Sequence, residues 1–256
     1  MARPQSRILD VLGTEQVTPN MMRVRFGGSE IHTIPEGFEG GYIKLIFLEA
    51  PRAHPDRPVM RTYSIRSYDA EKGEMAVDFA LHGDTGGLAT DWAPNAKVGD
   101  RMLIGGPGSV KMVDPEADWV FLAGDMTAIP ALMCNIERLP ATIKGYVVIE
   151  VTSEADKQEL NLPEGIEVHW VVTPSPEKLE GNLVSKIKSL PWLEGCVSVW
   201  TACEFDSMRT LRSYYRNERG VGRDQIYLSS YWRAGRTEDQ HKTDKQKDNA
   251  ANQAAA

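Results

Sequence analysis

Three short segments carry residue types whose spacing suits a phosphorylated, planar ligand. In Arg61-Thr-Tyr-Ser-Ile-Arg66, strand alternation places Arg61, Tyr63 and Ile65 on one face and Ser64 and Arg66 on the other. A guanidinium fork suits a diphosphate, a tyrosine ring stacks on a planar heterocycle, and a serine hydroxyl donates to a ring nitrogen. Taken alone, the same alternation describes an amphipathic strand equally well. In His82-Gly-Asp-Thr-Gly-Gly-Leu-Ala-Thr90-Asp-Trp92, glycines stand just ahead of a helical turn, whose first amides form an anion site that Thr90 supplements with a hydroxyl. A glycine pair also marks an ordinary turn, and Trp92 suits a core better than an adenine platform. In Ala123-Gly-Asp-Met-Thr-Ala-Ile-Pro130, a strand ends at Gly124 and a helix starts with Thr127 and an early proline, as at a dinucleotide crevice. Lacking the full GxGxxG spacing, this is also an ordinary strand-to-helix connection with a threonine cap.

The elements that must position these segments fall into two halves. From Ser6 to about Ile104, short apolar or alternating runs are separated by turn residues: Arg7 to Leu12, Met22 to Phe26, Tyr42 to Leu48, Thr62 to Tyr68, Glu74 to Leu81 and Arg101 to Ile104. Six strands at this spacing predict an antiparallel barrel or sandwich, interrupted by one helical turn from Gly87 to about Ala93. Beyond the turn-rich Gly105-Gly106-Pro107-Gly108 the pattern changes. Strand-like runs at Trp119 to Ala123, Tyr146 to Val151, Val168 to Val172 and Val197 to Trp200 alternate with apolar residues at helical spacing. Alternation of this kind predicts a parallel sheet flanked by helices, with its ligand crevice at the carboxyl ends of the strands. The expected organisation is a barrel domain over 1–106, an α/β domain over 107–236, and a polar tail over 237–256 that is a frayed helix or disordered.

Bulk properties exclude several functions. A formal net charge of −7 argues against general nucleic-acid binding, so an anionic ligand requires a local basic patch. No stretch approaches the roughly 20 apolar residues of a membrane span, and the polar start MARPQSR resembles no secretory leader, so a cytoplasmic monomer without membrane insertion is expected. Cys134, Cys196 and Cys203 are scattered and odd in number, and the five histidines show no metal-binding spacing, so no protein-held metal is expected.

In combination and order, these segments resemble the siderophore-interacting protein family, the FAD-dependent ferric-siderophore reductases of the ferredoxin reductase superfamily. RTYSIR looks like the family's flavin strand, HGDTGGLATDWA like its pyrophosphate segment, LAGDMTAIPA like the opening of its nicotinamide-binding domain, and Tyr231-Trp-Arg-Ala-Gly-Arg236 like its terminal signature. The resemblance implies an FAD-binding antiparallel barrel followed by a nicotinamide-binding α/β domain, with electrons passing from NAD(P)H, or alternatively a ferredoxin, through FAD to a ferric siderophore. No side chain need act as acid, base or nucleophile, because the flavin carries the electrons. Arg61 is then assigned to a flavin phosphate, Tyr63 to the isoalloxazine and Ser64 to its reactive nitrogen, with Thr62 in the same segment. His82, Gly86, Gly87, Ala89 and Thr90 surround the pyrophosphate. Gly124, Asp125 and Thr127 border the nicotinamide crevice, together with Glu204, while Lys44, Arg52 and Arg233 supply positive charge for the chelate.

Two departures stand out. Met126 replaces a residue that is often acidic, and Thr201-Ala-Cys203-Glu204 lacks the glycine that often precedes the glutamate, so the Cys203 side chain is expected to crowd an incoming dinucleotide. Glu150, about 26 positions after Gly124, suits a ribose hydroxyl and repels a 2′-phosphate, which favours NADH. The rival readings are a general flavin or ferredoxin-type reductase, and a non-catalytic flavin-containing module that binds siderophores.

Overall fold

The computed structural model describes residues 6–50, 58–81, 87–175 and 181–254. These fall into two compact units: Met1–Lys111 with Pro130–Arg138 and Gln158–Leu160, and Met112–Ile129 with Leu139–Lys157 and Asn161–Ala256.

The first unit is a closed antiparallel barrel of six strands: β1 (Ser6–Thr18), β2 (Met21–Gly27), β3 (Tyr42–Phe47), β4 (Val59–Asp69), β5 (Glu74–Ala80) and β6 (Arg101–Gly105), in the order β1-β2-β5-β4-β3-β6. Each expected run becomes a strand, and closure removes the exposed edges that an open sheet must protect. Alternate residues fill the interior, among them Leu9, Val11, Ile43, Leu45, Ile65, Val77, Phe79 and Ile104. The short helix α1 (Leu88–Trp92) adds Trp92 to this core, stacked on Phe26 at 6.1 Å and tilted against Phe79 at 5.9 Å.

β4 departs from simple alternation. Its register with β5 shifts between Ile65 and Ser67, a bulge that leaves Arg66 out of the ladder. The carbonyl of Arg66 instead accepts from Cys134 Sγ at 3.2 Å, and its guanidinium pairs with Glu137 at 2.5 Å. These contacts join Pro130–Arg138, most of helix α2 (Ile129–Ile136), to the barrel unit.

The second unit is a five-stranded parallel sheet in the order β11-β10-β7-β8-β9, formed by β7 (Trp119–Gly124), β8 (Lys144–Val151), β9 (Gly165–Val172), β10 (Val197–Glu204) and β11 (Ile226–Trp232). One face carries an apolar cluster in which Trp119, Phe121 and Tyr146 meet Leu183 and Ile187 of α3 (Asn182–Ser189) and Phe205, Met208 and Leu211 of α4 (Phe205–Ser213). β10 runs past its expected end at Trp200 to Glu204: polar Thr201 and Glu204 interrupt the apolar run in the sequence, yet they are buried along with every other residue of the strand.

The polar tail forms α5 (Glu238–Ala254). Side-chain bonds attach it: Ser230 Oγ to His241 Nε2 at 2.8 Å, Lys245 Nζ to Ser229 Oγ at 2.8 Å, and Arg212 to both carboxylate oxygens of Asp248 at 2.7 and 2.8 Å. No described helix is long and apolar enough to cross a membrane.

Candidate cofactor and substrate sites

On β4, Tyr63 and Ile65 share the barrel-interior face with Arg61, and Tyr63 lies 4.3 Å from the Phe79 ring centroid at 37°. Arg61 Nη1 donates to the carbonyl of Met60 at 2.9 Å. Thr62 and Ser64 face the other way. Antiparallel pairing sets Ser64 opposite Tyr42, and Thr62 opposite Lys44, which has Gly105 on its other side. Lys44 Nζ donates to Thr62 Oγ1 and stands 5.7 Å from the Tyr42 ring centroid. Tyr42 itself packs flat against Gly108, where an added Cβ would lie 2.1 Å from the ring. The outer barrel surface therefore gathers an aromatic face, an ammonium and two hydroxyls into adjacent rows. Tyr42 was not singled out by sequence, since a tyrosine opening a strand is unremarkable until its cross-strand partners are known.

Ser64 is only 8% exposed, and among the described residues its hydroxyl has no hydrogen-bond partner. A solvent-reached hydroxyl on a mostly covered residue, opposite an aromatic residue in the ladder and engaged by no described side chain, is the kind of donor that a flavin ring acceptor can take up. The residues present thus fit FAD. Gly87, with extended backbone at φ −87°, is the N-cap of α1, and Thr90 Oγ1 donates back to its carbonyl at 2.8 Å. Ala89 is buried against the barrel core. His82, Gly86 and Arg52 lie outside the described residues.

In the second unit, the carboxyl ends of β7, β10 and β11 bring Gly124, Asp125, Thr127 and Glu204 to one edge of the sheet. Asp125 accepts from Thr127 N at 3.0 Å, Thr127 Oγ1 at 2.5 Å and Trp232 Nε1 at 2.7 Å. Glu204 caps α4 through Asp206 N at 2.6 Å and Ser207 N at 3.1 Å, and its other oxygen accepts from Ala234 N at 3.3 Å. Burial raises the pKa of both carboxyls, opposed by these hydrogen bonds. Both acids thus brace the loops that border the crevice. Sequence reasoning placed Trp232 in the terminal signature without assigning it a role; its indole reaches past β10 to Asp125.

The crowding expected from Cys203 does not arise from its side chain, which is fully buried in the apolar cluster with Ala123, Phe205 and Met208. Its thiol pKa is raised well above the ordinary value, by burial first and then by the nearby Asp125, so it stays protonated. Met126 is also buried, receiving the Thr152 hydroxyl at its sulfur at 3.3 Å. Glu150, the penultimate residue of β8, accepts from Thr173 Oγ1 at 2.7 Å.

Arg233 follows β11. Its Nη1 donates to Asp244 Oδ2 of α5 at 2.6 Å, its Nη2 stands 3.8 Å from Asp206 Oδ2, and its guanidinium carbon lies 4.5 Å from the Phe205 ring centroid. The cation is three-quarters covered, held between two carboxylates and an aromatic face.

Comparison with known proteins agrees with this architecture. A sequence profile described as Siderophore-interacting protein matches residues 117–235, and one described as Siderophore-interacting FAD-binding domain matches residues 10–56 and 52–111. The Vibrio cholerae protein named Ferric vibriobactin reductase ViuB is 33% identical over 253 residues, spanning 93% of this chain and 93% of its own. The crystal structure of the siderophore-interacting protein SipS from Aeromonas hydrophila matches with a TM-score of 0.85 at 33% identity, covering 95% of this chain and 98% of that one. A siderophore utilization protein from T. fusca matches at 0.80 and 30% identity, over 93% and 96% of the two chains. Closed barrel, parallel sheet and FAD-binding profile define an FAD-binding oxidoreductase. The chain belongs to the siderophore-interacting protein family.

Proposed function

We propose that this protein is a ferric-siderophore reductase, taking electrons from NAD(P)H and releasing Fe(II) from a ferric siderophore in the cytoplasm. The observation that carries the reading is the uncommitted Ser64 hydroxyl beside Tyr42, Lys44 and Thr62, on the unit that matches the siderophore-interacting FAD-binding domain.

FAD, when bound, supplies the exchange between a hydride's electron pair and the single electrons that Fe(III) accepts. The chain's own residues bind and orient. Arg61 offers positive charge to a diphosphate, and the amides near Gly87, with Thr90, supplement it. Ser64 donates to a ring atom. Glu150 and the crevice edge at Gly124, Asp125, Thr127 and Glu204 receive the nicotinamide donor, with the Glu150 carboxylate favouring NADH by repelling a 2′-phosphate. Lys44 and Arg233 attract an anionic iron chelate, as Arg52 does in this reading. Oxygen-rich chelators hold hard Fe(III) far more tightly than Fe(II), so gain of one electron weakens the complex without attack on the siderophore.

The test is the flavin spectrum of the purified protein titrated with NADH, NADPH and a ferric siderophore in turn, followed by steady-state reduction of the chelate. Bleaching by NADH and re-oxidation by the chelate, with turnover, are expected. Binding of the chelate without turnover would indicate a siderophore-binding module. Reduction of free flavin alone would indicate a general reductase, and bleaching by a reduced ferredoxin but by neither nucleotide would reassign the donor.

A further inference from the structure

Arg233 is already occupied. Asp244, on the second turn of α5, holds its guanidinium at 2.6 Å and reaches Arg236 Nε at 3.6 Å with the same oxygen. The other described polar ties of α5 serve a different end. His241 and Lys245 fasten it to Ser229 and Ser230 of β11, and Asp248 fastens it to Arg209 and Arg212 of α4 at 3.2 and 2.7 Å. The helix has no apolar stripe to bury, so these side-chain ties position it. Asp244 alone among them is spent on the cation assigned above to the iron chelate.

We propose that Asp244 is a specificity-determining residue, an internal counter-ion that an anionic iron chelate must displace from Arg233 and that thereby tempers the site's preference for anionic over neutral or cationic chelates. The inference rests on the reading of Arg233 as a chelate contact. A carboxylate at 2.6 Å neutralises the guanidinium for any ligand that cannot outcompete it. A chelate of several negative charges gains more from Arg233 than a single carboxylate offers, whereas a neutral or cationic chelate gains nothing by displacing it. Asp206, at 3.8 Å, stays behind as a weaker partner, so the released arginine remains oriented over Phe205. The chain carries a net charge of −7, which makes the availability of each such cation consequential.

The experiment uses the full-length, FAD-loaded protein and measures Kd by direct titration, and KM, for an anionic ferric catecholate and for a cationic ferric trihydroxamate. In Asp244→Asn, Kd for the anionic chelate is expected to fall about two- to fivefold, the factor corresponding to a partly exposed ion pair, with no gain for the cationic one. Asp244→Glu should restore wild-type values. Asp248→Asn loosens α5 without touching Arg233 and should match wild type, which separates loss of the counter-ion from loss of the helix; amide exchange over 238–254 reports the docking of α5 in each variant. If Arg233→Ala weakens the anionic chelate while Asp244→Asn leaves it unchanged or weaker, the counter-ion role is overturned and the chelate contact stands. If Arg233→Ala has no effect, the chelate binds elsewhere and the inference fails with the reading beneath it.

Discussion

The indole nitrogen of Trp232 donates to Asp125 Oδ2 at 2.7 Å, tying the end of β11 to the end of β7 across the intervening strand β10. The carboxyl is buried, and burial raises its pKa, so each donor aimed at it matters. Trp232→Phe keeps most of the apolar surface and removes one donor to a buried carboxyl. It is expected to cost about 1.5 to 3 kcal/mol in urea unfolding of the second unit. An unchanged midpoint and slope would show that the bond contributes nothing.

Arg61→Ala removes the guanidinium proposed for the flavin diphosphate. A charge-assisted contact of this kind is worth roughly 1.5 to 3 kcal/mol, so FAD affinity should drop about tenfold to hundredfold. Fluorescence titration of the stripped protein with FAD measures it directly, and equal dissociation constants would remove Arg61 from the cofactor site.

Lys44→Ala should raise KM for an anionic ferric catecholate, by a factor equivalent to about 1 kcal/mol, and flatten the dependence of that KM on salt. The ammonium lies on the outer barrel surface next to Thr62 and Tyr42, where an approaching chelate is attracted through solvent. Matching salt slopes in the variant and wild type would place the chelate's positive contacts elsewhere.

Donor choice turns on Glu150, whose carboxylate accepts from Thr173 Oγ1 at 2.7 Å. Glu150→Gln keeps an acceptor for Thr173 and removes the charge. The ratio of stopped-flow flavin reduction rates with NADH and NADPH should move toward NADPH. Faster reduction of the wild type by NADPH at equal concentration would refute the preference outright.

Attachment of α5 should weaken in acid. His241 accepts or donates to Ser230 at 2.8 Å, packs edge-on against Phe205, and faces Lys245, Arg233 and Asp244. Burial first, and then Lys245, lower its pKa from 6.5 to about 4. A free histidine therefore takes up a proton at a pH where the docked one does not. Docking is at full strength above about 6.5, and its histidine contribution is lost as the pH falls toward 4. Amide exchange over 238–254, corrected for intrinsic rates, should show lower protection at the acidic end of this window, and His241→Gln should flatten the dependence. Equal protection throughout would mean that the imidazole is not held neutral.

Much of this architecture was legible in the residues alone. Alternation of apolar and polar positions marks all six barrel strands, because a strand with one face in a core and the other in solvent must repeat every two residues. The switch to helical spacing after Gly108 marks the parallel sheet for the same reason. What escaped was set by partners distant in the chain. The bulge at Arg66 exists because β4 and β5 lose register, and Pro130–Arg138 joins the barrel unit through the groups that bulge leaves free, neither of which is a local property. The same applies to Cys203. Sequence order places it next to the crevice residue Glu204, while the pleat of β10 turns its side chain into the core.

The amino-acid sequence by itself determined the strand and helix pattern, the change of periodicity near Gly108, and the segments able to meet a phosphorylated cofactor, since periodicity and residue chemistry are local. Tertiary structure alone decided which groups are already engaged. Ser64 keeps an uncommitted hydroxyl, Asp125 is bound by Trp232, and Arg233 is claimed by Asp244, because hydrogen bonds and ion pairs are settled by distances of about 3 Å between residues as many as 107 positions apart in the chain.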